Sequence, residues 1–532
     1  MATACGAGCM RVKASGWGSR VWGGKLRGEV LLDALTPRGV QARCALCALA
    51  GGRGGVQAPS ECNKSCVSCV VCTQFGTLVA GRTSKIRHPL TFRSRTHMTP
   101  RSRLHIPYPP ARPGDKPDFS YVQISPTGAV PRPESKAPVR DLESLAGQMV
   151  RVLGEDSKAV GPWHPHLEPQ DLQVGLRHML LTRLFDDRMQ RMQRQGRMSF
   201  YMKSTGEEAV AVAAGMALLP GDMLFPSYRV QGLQVVRGRS LVDLMCQCLS
   251  NTRDMCKGRQ MPVMYHWGAG NIFSISGNLA TQFPQAVGWA MAAAIKGEDR
   301  LAATWIGEGS SAEADFHHAM TFAQVYRAPV ILNVVNNQWA ISTFQGVAGG
   351  EVQTFAKRGP GYGMPGIRVD GNDFLAVYAV TQWAAERARQ SGGPTLIEHV
   401  TYRAAAHSTS DDPSRYRPKE EWKAWPLGDP IERLKQHLIM LGEWTEERHA
   451  ALEKELEAHV MACWKEAASY GTLTEGPTLD PATMFEDVYK EMPTHLVRQR
   501  QQLLDLTQRQ PPPDAHEQHD PDRRPHPIAK EG

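Results

Sequence analysis

The stretch LAATWIGEGSSAEADFHHAMTFAQVYRAPVILNVVNN, Leu301–Asn337, decides the fold. It holds two continuous apolar runs, LAATWIG and APVILNVV, each of strand length. A helical segment, SAEADFHHAMTFAQVY, lies between them. Strands that stay apolar along their whole length are buried on both faces, and a strand–helix–strand order makes them parallel. Glu308 follows the first strand and Asn337 follows the second. If the strands are neighbours, both side chains emerge at the same carboxyl end, where such sheets bind ligands. Gly307 and Gly309 let backbone come close to a ligand. A carboxylate, a carboxamide and nearby carbonyls form an oxygen-only donor set, suited to Mg2+ completed by water and phosphate oxygens. The helix expected directly after GEG turns its amide end to the same place and favours an anion. Together these features describe a magnesium diphosphate site. Taken singly, GEG and NN are ordinary turns; their spacing across two strands is the specific signal.

The alternation continues on both sides. FLAVYAVTQWAAERAR reads as a helix and GPTLIEHVTYR as a third strand. Upstream, a helical pattern spans Asp171–Arg197. MSFYMKSTGEEAVAVAAGMAL places Gly206 and Glu207 before a small-residue helix, and GDMLFPSYRVQG is a short strand ending in a turn with Tyr228 and Arg229. A glycine-rich loop leads into a helix from about Leu279 to Lys296. The fold class is α/β, with a mostly parallel central sheet and helices on both faces.

The ends differ from this body. Residues 1–97 hold eight of the twelve cysteines and a net +11, against +8 for the whole chain, which leaves the remainder at −3. The basicity therefore belongs to a leader, and the usual reason to propose a nucleic-acid partner is gone. Cys44-x-x-Cys47 and Cys69-x-x-Cys72 have the spacing of a four-thiolate metal site. The absence of helical or strand period there favours a disordered leader, or sequence upstream of the true start. No apolar core suited to a secretory signal is present, and no apolar run of 18 residues suggests a membrane span. The sparse cysteines of the body suit a reducing compartment, and the cytoplasm is expected. The expected organisation is this leader, an extended proline-rich arm over 98–140, the α/β domain over 141–430, a helical region over 431–503 and a polar, disordered tail over 504–532.

Beyond these readings, residues from about 100 to 503 resemble the alpha subunit of thiamine diphosphate-dependent 2-oxo acid dehydrogenases, and in particular the bacterial branched-chain (2-oxoisovalerate) type. The resemblance rests on MSFYMKSTGEEA, KGRQMPVMYHW, SGNLATQFPQAVG, VVNNQWAISTF, RVDGNDFLAVY and TYRAAAHSTSDDPSRYRP, and on GEG followed by NN at the spacing of the thiamine diphosphate motif. It implies that Glu308, Asn337 and the backbone carbonyl of Trp339 ligate Mg2+. It implies that Gly307, Gly309, Tyr228, Arg229, Arg403 and His407 line the cofactor, and that Leu279 holds its aminopyrimidine in a bent shape. Ser276, Thr281 and Gln282 match positions that bind K+ in some members, although Gly277 and Asn278 replace a serine–proline pair. Ala406 stands where some relatives have a second histidine, and Val335 where animal relatives often have an arginine.

His407 is the implied catalytic residue, since an imidazole can exchange a proton at working pH. His317 and His318, on a helix, read as packing or surface residues. The implied reaction is oxidative decarboxylation of a branched-chain 2-oxo acid, followed by reductive acylation of a lipoyl group on a separate acyltransferase core. The glutamate that activates the aminopyrimidine comes from a beta subunit in this family, so an alpha2beta2 heterotetramer is implied. Ser408 and Ser410 lie in the loop that is phosphorylated in animal relatives; here they read as solvated serines. A pyruvate or acetoin dehydrogenase alpha subunit would share the chemistry, and a non-catalytic cofactor-binding subunit is the alternative of another class.

Overall fold

The structure is a computed structural model that describes residues 104–509. The expectations for residues 1–97 and for the end of the tail lie outside the described residues. Eleven helices are labelled here: α1 Pro169–Arg194, α2 Glu208–Ala217, α3 Gly232–Val236, α4 Leu241–Leu249, α5 Gln282–Ile295, α6 Ala314–Val325, α7 Arg358–Gly361, α8 Phe374–Arg389, α9 Pro430–Met440, α10 Glu446–Ser469 and α11 Thr494–Arg509. The strands are β1 Met149–Val150, β2 Met223–Phe225, β3 Ala302–Gly307, β4 Val330–Asn336, the short antiparallel pair β5 Trp339–Ala340 and β6 Thr343–Phe344, β7 Gly366–Asp370 and β8 Thr395–Val400.

Six strands form one sheet in the order β1-β7-β8-β4-β3-β2, and every pairing in it is parallel. The two apolar runs of the opening stretch are the adjacent strands β3 and β4, with Gly307 opposite Val335. Period-two alternation divides their side chains between two cores. Ala303, Trp305, Ile331 and Val335 pack in the core that includes α1, α2 and α8. Ala302, Ile306, Val330, Leu332 and Val334 pack with Phe283 of α5 and Phe316 and Met320 of α6 in the other. Helix α2 contains mainly alanine, valine and glycine, and eight of its ten residues are buried. Small side chains allow that close packing.

Three details differ from the sequence reading. Helix α5 starts at Gln282, because Ala280 takes a left-handed conformation (φ 64°) that interrupts a helix. After Glu308 comes a 3-10 turn, Gly309–Ala312, and α6 begins only at Ala314; the amides nearest Glu308 thus belong to the turn. The short strands β1 and β7 were not anticipated. Strand β7 carries Arg368 and Asp370 among its apolar residues, which breaks the continuous apolar signal.

Residues 104–138 contain no helix or strand. Without a helix or sheet to pair its carbonyls, the segment is met by side-chain donors from the body. Trp163 Nε1 donates to Pro131 O at 3.1 Å and Trp383 Nε1 to Pro133 O at 2.9 Å. Arg387 Nη1 donates to Ser135 O and Ala137 O. At the other end, α11 runs on to Arg509, past residue 503.

Candidate active site

The site lies at the carboxyl ends of β3, β4 and β8. Their parallel register brings Glu308, Asn337 and Arg403 out at one edge, and Glu308 N–H donates to Val335 O at 3.2 Å. Tyr228 and Arg229 arrive from the turn after β2, and His407 from the loop after β8. All of these residues, with Gly307, Gly309, Leu279 and Trp339, line one cavity of about 350 Å³.

Glu308 is 1% exposed, and its Oε1 has no hydrogen-bond partner. Burial pushes its carboxyl up to about 7. A buried carboxylate oxygen without a donor is costly unless a cation or proton fills the place. Asn337 donates from Nδ2 to Glu207 Oε1 at 2.9 Å, which leaves Oδ1 with only a 3.3 Å contact from Trp339 N–H. The Trp339 carbonyl accepts from Arg403 Nη1 at 2.7 Å and retains a second lone pair. The donor set is oxygen-only and includes an unpartnered carboxylate oxygen, so these residues fit a small hard cation.

Two buried arginines supply positive charge. Arg229 Nη2 donates to His407 O at 2.9 Å and lies 3.2 Å from His407 Nδ1. Arg403 Nη2 donates to Ile341 O and to the Tyr416 hydroxyl, each at 2.8 Å. A guanidinium can only donate, so His407 Nδ1 accepts and the ring proton sits on Nε2. Burial, with Arg229 and Arg403 nearby, drives the His407 pKa down to about 3. The imidazole is therefore neutral near pH 7 in this state, and a bound anion between it and the arginines would favour its charged form. The loop is held by Asp411, whose Oδ2 accepts from His407 N–H at 2.7 Å and from the Tyr416 hydroxyl at 2.6 Å.

A Cβ on Gly309 would stand 2.5 Å from that of Ala340, so the β5–β6 pair requires a glycine there. A Cβ on Gly307 would meet nothing within 4 Å and would project into open space. Leu279 is half exposed at the cavity mouth. Ser276, Thr281 and Gln282 share one segment. Ser276 Oγ accepts from Asn278 N–H and Thr281 Oγ1 donates to Asn278 O, while Gln282 Nε2 donates to Trp305 O and leaves Oε1 unpartnered. His317 and His318 lie on α6 outside the cavity and are exposed.

The sequence reading did not assign a role to Glu207. It is 2% exposed, its Oε1 lies 3.6 Å from Arg229 Nε, and burial pushes its carboxyl up to about 7. The available signal was its place: an acid leading into a helix of small apolar residues has little access to solvent. The apolar wall of the cavity, with Phe200, Met202, Met261 and Met264, was also missed.

Residues 176–475 match the dehydrogenase E1 component family, and residues 100–138 match the N-terminal region of the 2-oxoisovalerate dehydrogenase E1 alpha subunit. The chain belongs to the dehydrogenase E1 component family. A 2-oxoisovalerate dehydrogenase subunit alpha of Pseudomonas aeruginosa is 60% identical over 401 residues, which are 75% of this chain and 98% of that one. The mitochondrial 2-oxoisovalerate dehydrogenase subunit alpha of Mus musculus is 41% identical over 66% of this chain and 79% of its own length. The Homo sapiens counterpart is 40% identical over 66% and 78%. Within the family, this chain functions as the alpha subunit of a branched-chain 2-oxo acid dehydrogenase E1 component. That role implies use of thiamine diphosphate with Mg2+ and dependence on partner subunits.

Proposed function

We propose that Glu308 Oε1, Asn337 Oδ1 and the Trp339 carbonyl hold Mg2+, and that Tyr228, Arg229 and Arg403 face the cofactor's diphosphate. The unpartnered carboxylate oxygen of Glu308 beside the Asn337 amide carries this reading. When bound, thiamine diphosphate supplies the electron sink that allows a 2-oxo acid to lose carbon dioxide. The chain's own residues bind and orient. Leu279 supports the cofactor's ring side, and Gly307 and Gly309 bring backbone to its edge. Gln282 Oε1, unpartnered, with Ser276 and Thr281, offers oxygens that a K+ ion could use, although Gly277 and Asn278 depart from the pattern of K+-binding members. His407 holds a proton at Nε2 and serves decarboxylation or presentation of the lipoyl group. Phe200 and the three methionines form an adaptable apolar wall suited to branched aliphatic side chains.

The working unit in this reading is an alpha2beta2 heterotetramer, whose beta subunit supplies the glutamate for the aminopyrimidine. The acyl group then passes to a lipoyl-bearing acyltransferase core. The cytoplasm is the proposed compartment: the four described cysteines are free thiols, and the name of the Pseudomonas aeruginosa relative carries no organelle. The test is carbon dioxide release from branched 2-oxo acids and pyruvate, with thiamine diphosphate and Mg2+. The purified chain alone should show negligible turnover, and the chain co-purified with its beta subunit should prefer the branched acids. Robust turnover by the chain alone would overturn the heteromeric reading.

A further inference from the structure

We propose that Glu207 is a positioning residue for the metal: it fixes which end of the Asn337 carboxamide faces the cavity. This rests on the reading of Glu308 and Asn337 as metal ligands. The two ends of a carboxamide are nearly alike in shape and opposite in function, one an acceptor and the other a donor. Only hydrogen-bond partners decide which way it turns. Glu207 Oε1 accepts from Asn337 Nδ2 at 2.9 Å; Arg229 Nε, 3.6 Å from the same oxygen, favours the ionised form, which can only accept. The amide is therefore held with its NH2 toward Glu207 and its oxygen free for a cation. Reversed, it would present an N–H donor to the metal and set two oxygens against each other.

Glu207 meets the metal side through Asn337, the proposed ligand it touches. It does not line the 350 Å³ cavity that Glu308 and Asn337 share. It lies in the adjoining crevice with Asn337, Arg229 and Gln282. The loop that carries it is tied to the strand end that carries Arg403. Gly206 O accepts from Thr401 Oγ1 at 2.9 Å and from Asn372 Nδ2 at 3.2 Å, and Thr205 O accepts from Ala404 N–H at 3.0 Å. Gly206 has φ 95°, and a Cβ there would stand 2.3 Å from Tyr402 O, so the close approach requires glycine. On the other side, Ser204 N–H and Oγ donate to the buried carboxylate of Asp186 at 2.6 and 2.7 Å. The carboxylate of Glu207 is thus delivered by a segment fixed at both ends. The second contact, to Arg229 Nε at 3.6 Å, links the metal side to the arginine that holds His407.

The experiment measures Mg2+-dependent thiamine diphosphate binding by calorimetry on the chain co-purified with its beta subunit. Glu207→Met fills similar space and offers only a weak sulfur acceptor in place of the carboxylate. The Mg2+ concentration needed for half-saturation should rise about 10–100-fold, the usual range for losing a partner that orients a metal ligand. Glu207→Gln keeps an acceptor oxygen for Asn337 while losing the charge that faces Arg229, and should stay within a few-fold of wild type. Thermal midpoints without metal monitor general structural damage. Wild-type metal dependence in Glu207→Met would overturn the proposal. Equal loss in Glu207→Gln and Glu207→Met would also overturn it, because charge rather than amide orientation would then be at work. Glu308→Ala is the control for the underlying site. If it leaves metal dependence unchanged, the ligand assignment has failed; if it abolishes it while Glu207→Met does not, only the role of Glu207 has failed.

Discussion

Two clusters of buried charge sit at the carboxyl end of the same sheet, and they are built in opposite ways. At the end of β7, Asp370 accepts from Arg433 Nη1 at 2.9 Å, from Arg151 Nε at 3.4 Å and from Asn372 N–H at 3.0 Å. Asp373 accepts from Val152 N–H, Leu153 N–H and Ala376 N–H, the last as the cap of α8. No buried side-chain nitrogen or oxygen of these four residues lacks a partner. At the ends of β3 and β8, Glu308 Oε1 and Arg403 Nε are both buried without one. The first cluster ties β1, β7, α8 and α9 together and is complete. The second holds the one buried carboxylate oxygen without a partner among the described residues, the atom proposed above to meet a cation.

Three substitutions test that contrast. The largest effect is expected on activity from His407→Ala. The side chain makes its contact with Arg229 Nη2, which also holds the backbone carbonyl of residue 407, so the loop keeps an anchor without the ring. In the assembled enzyme, turnover should fall about 10²–10⁴-fold, the range for losing a positioned proton-transfer group. Cofactor affinity and thermal midpoint should stay near wild type. An artificial electron acceptor reports decarboxylation alone, and acylation of a lipoyl domain reports transfer as well. A defect confined to the second assay assigns His407 to transfer. Normal rates in both would remove it from the reaction.

Next in size is Asp370→Ala, in the complete cluster. It leaves the buried guanidinium groups of Arg151 and Arg433 facing a missing carboxylate. Breaking a buried pair in this way costs about 3–5 kcal/mol of stability. Denaturant midpoints should fall accordingly, while the fraction that remains folded binds cofactor as tightly as wild type. A loss of cofactor affinity beyond the loss of folded protein would break the division between the two clusters.

The sequence made one cluster legible and left the other obscure for a physical reason. Glu308 and Asn337 each follow a continuous apolar run, so the strand ends, and the donors beyond them, could be placed from periodicity alone. His407 could be tied to the site only through the resemblance, because a loop has no period to extrapolate; Arg403 was read as the end of the third strand, but β8 stops at Val400 and leaves it in the loop. Asp370 and Arg433 are 63 residues apart and are joined by tertiary packing, which no local pattern encodes. Glu207 was visible as an acid before a buried helix, yet its partner Asn337 lies 130 residues away. The 3-10 turn Gly309–Ala312 was not foreseen, and α6 starts only at Ala314; Gly309, in that turn, sits where a Cβ would meet Ala340.

The smallest of the three effects is the most diagnostic of the incomplete cluster: the pH dependence of stability in Glu308→Gln. An exposed glutamate titrates near 4.5, and burial raises Glu308 to about 7 in the folded, metal-free chain. Between these values the folded protein keeps a proton that the unfolded chain has released. Stability from this group is then fully present below about pH 4.5 and is lost as pH rises through 7. Glu207, also raised to about 7, adds a slope of the same sign. Replacing Glu308 by glutamine should therefore remove part of the decline, by about 1–3 kcal/mol between pH 5 and 8. Urea midpoints at four pH values on the cofactor-free protein would measure it. Mg2+ with thiamine diphosphate should flatten the wild-type slope, because a cation at the carboxylate favours its charged form. It should leave the slope of Glu308→Gln nearly unchanged. The same satisfied Asp370 cluster serves as internal reference, since neither addition should alter the stability lost in Asp370→Ala. If wild type and Glu308→Gln decline in parallel, with and without the cation, then the carboxylate is paired in solution and the two clusters are alike after all.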